Sequence, residues 1–440
     1  MNKFRNFPQI DTLIKDEILK QYPLYAKNYF SKKVIHELKI QMKNQEFIIE
    51  KKDILEKIKN QIEDLLQKDL KVLINATGVI IHTNLGRSII NEEIFDKTKE
   101  FICSYTNLEF NIKNGKRGSR YDLLLEKLKI LFNCEDALVV NNNASAVFLI
   151  LNTFAKNKEV ISSRGELVEI GGKFRVPEVI LGAGALLKEV GTTNKTHLKD
   201  YENAINEQSA MILKTHKSNF SIEGFNSEVD IKEIFELCKN NNLISYYDLG
   251  SGWCENLNEK LTKDEPCIKD LVKNCHLISF SGDKLFGSVQ AGIILGEKKY
   301  IEKLKENQLL RMLRVDKLTL AFLNETIKCY LEKKYEKITT LKLLNDDIDK
   351  IHQKAIKVKE NIKLKSKIKD SKSLVGGGSM PNKYLNTKVL SFEANPLNLQ
   401  EKFRKNGIIG RIEENEFVLD FRSIEEKYIN LLIEKINNLK

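Results

Sequence analysis

ISFSGDKLFGSVQAGII, residues Ile278 to Ile294, runs from a short apolar segment through a single lysine, Lys284, into a row of small residues. A short apolar, β-rich run bounded by glycine and serine reads as a buried strand. The small residues past its end leave space beside the lysine, at the end of the strand where open α/β sheets take their ligands. Similar runs lie upstream: DALVV (136–140), KEVISS (158–163), SAMILKTH (209–216) and NLISYYD (242–248). Amphipathic stretches such as DLLLEKLKILF (122–132) and IKEIFELCKNN (231–241) stand between them. The alternation predicts an α/β fold built on a doubly wound, largely parallel sheet.

The pattern changes on both sides of this region. No glycine precedes Gly78, and in KKDILEKIKNQIEDLLQKDL (51–70) Ile54, Ile58, Ile62 and Leu65 recur at helical spacing, so a helical module is expected over residues 1–70. Glycine arrives at INATGVIIHTNLGRS (74–88), which marks the start of the large domain, 71–330. Residues 299–338 predict a long helical region. The remainder, 331–440, contains GGGSMP (376–381), NTKVLSFEA (386–394) and RIEENEFVLDFR (411–422) and reads as a small α+β domain.

At 440 residues the chain exceeds one ordinary core. Its 42% hydrophobic and 30% charged content, with only 6 prolines, excludes a disordered chain. The N-terminus lacks a signal-peptide core and no window approaches the roughly 20 apolar residues that span a bilayer, so a cytoplasmic protein with no membrane partner is expected. Seven cysteines without CxxC pairs predict neither a disulfide framework nor a metal site, and they read as small buried hydrophobes. The formal charge of +11 makes a polyanionic partner plausible, but an even, lysine-rich composition accounts for it equally well.

The residues just after each strand form a set. NNNASAVFLILNTF (141–154) opens a helix from a polar turn, where free N–H groups and the helix dipole attract an anion and where Asn143 and Ser145 can add donors. Alone, this is an ordinary helix cap. Asp248 ends NLISYYD, and an acid there can pair with a buried cation such as the ring nitrogen of pyridoxal phosphate; alone, it is a turn residue. Lys284 stands about one strand–helix–strand unit later, so acid and lysine belong at nearby strand ends. A lysine kept unprotonated by desolvation forms a Schiff base with an aldehyde cofactor, and Ser281 could hold the cofactor phosphate. Any one of these residues has a bland reading. Their order along the chain points to pyridoxal phosphate.

INATGVIIHTNLGRS, SRGELVEIGGKFRVPEVI (163–180), KTHKSNFSIEGF (214–225), DLGSGW (248–253) and FSGDKLFGSVQAGII (280–294) together closely resemble the bacterial selenocysteine synthases, the L-seryl-tRNA(Sec) selenium transferases. GGGSMP and GRIEENEFVLDFR (410–422) extend the resemblance over nearly the whole chain. It implies a type I pyridoxal phosphate fold, aspartate aminotransferase-like, with a helical N-terminal domain that engages seryl-tRNA(Sec). It also implies a cytoplasmic homo-oligomer, a decamer built as a ring of dimers, with no DNA partner. Residue by residue, it implies that Lys284 is the Schiff-base lysine, that Asp248 faces the pyridine nitrogen and that Asp283 acts at the active site. Arg87, Arg311 and Arg314 match the arginines that hold selenophosphate. Arg311 and Arg314, three apart in a stretch read as helical, can face one pocket, although such a pair is otherwise a solvated helix face.

His216 and Asn219, after SAMILKT, are expected at the cofactor ring, with a buried structural histidine nearly as good a reading. Arg120 and Glu166 are weaker candidates for substrate or ring contact. Lys217 stands where the family pattern has a small hydroxyl residue. Two rivals remain at this point: a related lyase or transferase acting on a small sugar acid or amino acid, and a tRNA-binding scaffold without catalysis.

Overall fold

In the computed structural model, which describes residues 7–44, 48–67, 70–172, 174–263 and 265–439, two units separate: Met1–Val72 and Leu73–Lys440. The first holds α1 (Ile10–Ile14), α2 (Leu24–Asn44) and α3 (Lys51–Leu66). Ile54, Ile58 and Ile62 of α3 share a core with Phe30, Val34 and Leu38 of α2, as their spacing requires. A reciprocal cap between Glu50 and Asp53 starts α3. Leu65 departs from the expected apolar stripe. It is exposed in the last turn and lines an open groove with Tyr25 and Tyr29.

The second unit is organised by a seven-stranded sheet. Its strands are β1 (Asp136–Val140), β2 (Glu159–Ser163), β3 (Leu186–Val190), β4 (Ser209–Thr215), β5 (Ile244–Gly250), β6 (Leu277–Ser281) and β7 (Gly292–Gly296). They lie in the order β1-β7-β6-β5-β4-β2-β3. All neighbours are parallel except at β7, which runs against both β1 and β6. β1, β5, β6 and β7 are buried along their whole length, which explains their unbroken apolar sequences: helices cover both faces. α4 (Asn143–Phe154) follows β1 and α5 (Ile231–Asn240) precedes β5. The carboxyl ends of β1, β6, β5 and β4 converge, and the site lies there.

The stretch read as one long helical region is broken. A helix at Lys298–Glu306 gives way to a 3-10 turn, Gln308–Arg311, then to extended backbone at Arg314, which bridges Val140, and a new helix begins at Lys317. Local capping explains the break: Asn307 accepts from the Leu309 N–H and Asp316 from the Thr319 N–H.

A smaller five-stranded sheet has the order Arg411–Glu413, Glu416–Asp420, Ser379–Phe392, Ser366–Gly376 and Val79–Ile81. Phe392, Phe403, Phe417 and Phe421 fill a second core, to which Ile74 and Ala76 belong. Ile74–Asn75 pairs in parallel with Ile408–Ile409. Residues 74–81 are thus hydrogen-bonded to strands more than three hundred positions later or nearly so, before the chain enters the large sheet. Gly78 makes this possible: its φ is +77°, and a Cβ there would lie 2.2 Å from Oδ2 of buried Asp420.

Among the described residues no helix is long and apolar enough to cross a membrane. Four of the seven cysteines are buried, Cys134 and Cys267 partly so, and Cys103 is exposed, against the expectation that all are buried. Burial pushes the Cys134 and Cys238 thiols up to about 12, far from thiolate chemistry.

Candidate active site

Asp248 and Lys284 arise from adjacent parallel strands, in which Asp248 of β5 is in register with Ser279 of β6. Asp248 is fully enclosed, and burial raises its pKa. Both hydrogen bonds to its carboxylate fall on Oδ1, one from Asn143 Nδ2 at 2.7 Å and one from the Gly250 N–H at 3.0 Å. Such a carboxylate is steered but not neutralised, and it would favour a cationic partner. Asn143, expected as a donor to an anion, spends its amide on Asp248 instead. The helix start beside it keeps its own N–H groups, with Asn142 capping the Ser145 N–H at 2.8 Å.

Lys284 is 7% exposed. Its pKa is lowered, first by burial and then by the Arg87 guanidinium, against weaker opposing pulls from Asp248 and Asp283. It forms no ion pair and its amine donates no hydrogen bond to a described residue. A free amine in this position is a nucleophile and a base.

Arg87 and Asp283 form the neighbouring pair, Nη1 to Oδ2 at 2.8 Å, while Asp283 Oδ1 is buried without a partner. The loop that carries Arg87 is zipped to the lysine segment. The Ser88 N–H donates to the Asp283 carbonyl at 3.2 Å and Ser88 Oγ to the Lys284 carbonyl at 2.7 Å. Arg87 itself sits at φ +61°, a strained value for a non-glycine residue that these bonds hold in place. Ser281 closes β6, buried, three residues before the lysine.

His216 is brought to the same strand ends: its N–H donates to the Asp248 carbonyl at 2.8 Å, and its ring Nε2 lies 3.3 Å from Glu265 Oε1. Asn219 turns away, donating to the Glu169 carbonyl at 2.9 Å. Arg311 is exposed, and Arg314 extends toward Glu109, 3.9 Å away. Neither arginine makes a hydrogen bond or ion pair with Arg87, Asp283, Lys284 or Asp248. Their helical spacing does not survive, because the backbone between them leaves the helix. Arg120 also binds Glu109 and donates to the Val315 carbonyl at 2.8 Å, so it braces the Arg314 segment. Glu166 is buried in an ion pair with Lys214 at 2.9 Å and accepts from the Thr215 N–H at 3.1 Å, a structural role. A polar cavity of about 300 Å³, lined by Glu166, His216, Lys217, Glu228 and Glu265, opens beside it. Nothing in the spacing of these residues announced it, since they come from four separate segments.

The residues fit pyridoxal phosphate. A desolvated acid with one uncommitted oxygen suits the ring nitrogen, a partnerless buried amine suits the aldehyde, and the start of α4 suits the phosphate.

A family model described as SelA: L-seryl-tRNA selenium transferase matches residues 73–425. The L-seryl-tRNA(Sec) selenium transferase of Campylobacter jejuni subsp. doylei is 65% identical over 440 residues, all of both chains. That of Campylobacter lari is 65% identical over 440 residues, all of this chain and 99% of the relative. Among solved structures, a D-glucosaminate-6-phosphate ammonia-lyase aligns with a TM-score of 0.60 at 18% identity, over 86% of this chain and 97% of its own. That likeness speaks to the fold alone. The second unit accordingly has the type I, aspartate aminotransferase-like fold of pyridoxal phosphate enzymes, and the chain belongs to the L-seryl-tRNA selenium transferase family.

Proposed function

We propose that this chain converts L-seryl-tRNA(Sec) to L-selenocysteyl-tRNA(Sec), with pyridoxal phosphate as cofactor and selenophosphate as selenium donor. The observation that carries the reading is the buried, partnerless amine of Lys284 beside Asp248 on one side and the Arg87–Asp283 pair on the other. When bound, pyridoxal phosphate supplies an electron sink for negative charge developing at the seryl α-carbon.

The protein's own groups do the rest. Asp248, oriented by Asn143 and Gly250, would hold the ring N–H of the cofactor. Lys284 would hold the cofactor through its aldehyde and, with its amine free, would take the seryl α-proton as a base. The β-hydroxyl leaves as water. Selenium from selenophosphate adds at the β-carbon, and a water cleaves the phosphorus–selenium bond, so oxygen is exchanged for selenium and orthophosphate leaves. Arg87 offers one cation for the donor, and Arg311 and Arg314 are proposed to complete the set from the mouth of the site. His216 and Ser281 are proposed to line the cofactor, and Asn219 would have to rotate to do so.

The helical unit is proposed to engage the tRNA. Tyr25 and Tyr29 are 78% and 64% exposed on α2, next to Lys33, a combination suited to nucleic acid by stacking and phosphate contact. Deleting residues 1–70 should remove tRNA binding and leave cofactor uptake intact. A cytoplasmic decamer, a ring of dimers, is the proposed assembly.

The test is turnover of seryl-tRNA(Sec) against seryl-tRNA(Ser), with pyridoxal phosphate and selenophosphate at stated salt. Selenocysteyl-tRNA formed from the first alone supports the reading. Cofactor occupancy with no tRNA selectivity would favour a small-molecule lyase.

A further inference from the structure

Three successive glycines, Gly376 to Gly378, join the two long strands of the small sheet, and they are not equivalent. A Cβ on Gly376 would lie 2.9 Å from the Ile81 carbonyl oxygen, so strand pairing leaves it no room. A Cβ on Gly377 would meet nothing nearer than Thr83 Oγ1 at 4.0 Å. A Cβ on Gly378 would meet one residue, Lys284, at 3.7 Å from Nζ and 3.9 Å from Cε. None of the three is at positive φ, so a left-handed backbone is not what calls for glycine here. What Gly378 leaves empty is faced by the amine of Lys284, a residue 7% exposed that has no hydrogen-bond or ion-pair partner among the described residues. Nor is the turn free to drift: Ser251 Oγ donates to Ser379 Oγ at 2.7 Å, both buried, which ties it to the end of β5.

We propose that Gly378 sets the size limit for the acyl group that reaches Lys284. The bare turn is a wall beside the amine, and a one-carbon side chain on an α-amino acyl ester is the largest that this wall is proposed to admit. The small domain therefore selects substrate by the absence of a side chain. This rests on the function proposed above, with a readout that does not.

The experiment uses full-length holoenzyme and the variants Gly378→Ala, Gly378→Val and Gly377→Ala. An alanine Cβ at 378 makes ordinary contact with Lys284 rather than a clash. Borohydride should therefore fix cofactor to Lys284 in Gly378→Ala and Gly377→Ala as in the parent. Because one methyl group in a shaped site is worth roughly 10- to 200-fold, kcat/KM for seryl-tRNA(Sec) should fall by about that factor in Gly378→Ala. The fall should be greater in Gly378→Val, with Gly377→Ala near the parent. Free L-alanine, which competes with Lys284 for the cofactor and needs no tRNA, should show the same ranking in a spectral titration. Parent-like kcat/KM and L-alanine affinity in Gly378→Ala would overturn the proposal. So would loss of borohydride fixation in step with activity, which would assign the space to the cofactor, or an equal loss in Gly377→Ala. Should Gly378→Val not fold, Gly378→Ala decides. A parent chain that binds L-alanine but never turns over seryl-tRNA would sink the functional reading and leave the size limit measurable.

Discussion

Lys214 and Lys284 are nearly equally buried, 5% and 7% exposed, in the same α/β unit, and their chemistry is opposite. Lys214 lies 2.9 Å from Glu166 and 3.6 Å from Glu228, and these carboxylates raise its pKa although burial pulls the other way. It stays an ammonium and staples strand β4 to the 3-10 turn after β2. For Lys284 burial is the largest influence, the Arg87 guanidinium adds to it, and Asp248 and Asp283 pull more weakly the other way without pairing with the amine, so its pKa falls. Burial by itself therefore does not make a lysine reactive. Whether a carboxylate pairs directly with the desolvated amine decides if it becomes a brace or a base.

The comparison breaks at its strongest point if Lys284 is dispensable. Lys284→Ala should abolish turnover and borohydride fixation of the cofactor, measured by absorbance and by mass of the reduced protein; fixation at another lysine would overturn the assignment. Next in size, Asp248→Asn should lower turnover by roughly 100- to 1000-fold, the scale of losing one preorganised electrostatic partner. The same change should relieve a cost in the cofactor-free chain. A carboxyl whose folded pKa is raised lends stability while protonated and loses it as pH rises through that value. Urea unfolding of the apo-protein should thus show parental stability falling from acid toward neutral pH, with Asp248→Asn flatter.

On the other side of the comparison, Lys214→Met strands Glu166 without its counterion and should cost about 3–5 kcal/mol of stability. The folded fraction should still fix cofactor at Lys284. Stability unchanged in urea would mean that the pair braces nothing. The smallest effect belongs to Arg87→Gln. Removing this cation, and leaving Asp283 uncompensated, both raise the Lys284 pKa. The pH midpoint for cofactor uptake by the apo-protein should move to higher pH, and a shift to lower pH would contradict the electrostatic account.

The contrast between these lysines was half visible in the sequence. Lys284 stands out because it follows a strand and precedes small residues, and Asp248 because it ends the neighbouring run at the spacing of one crossover. These are properties of local pattern, and the parallel sheet turns them into proximity. Lys214 lies inside an apolar strand, but its partners come from the turn after β2 and from Glu228, which no spacing rule links. Asn143 was legible as a helix-start residue, yet whether its amide serves an anion or Asp248 depends on the β1–β5 geometry. The stretch containing Arg311 and Arg314 has helical composition, and capping by Asn307 and Asp316 overrides it. Strand β3, LLKEV, alternates with charges and is half exposed, so its apolar signal is faint. The pairing of 74–81 with C-terminal strands had no local signature at all.

That pairing bears on when the enzyme can work. The Gly78 N–H donates to Ser423 Oγ at 2.9 Å across 345 residues of chain, and the strand it begins leads within ten residues to Arg87. Closing so long a loop is a late event, because its entropy must be met before the contact forms. On the ribosome, the segment that carries Arg87 waits without its sheet until residue 423 has been made and has emerged. A nascent chain can complete the strands of the large sheet before then, but the strand that leads to Arg87 has no partner until the small sheet closes, and the Ser88 bonds to the lysine segment must position the loop from one side alone.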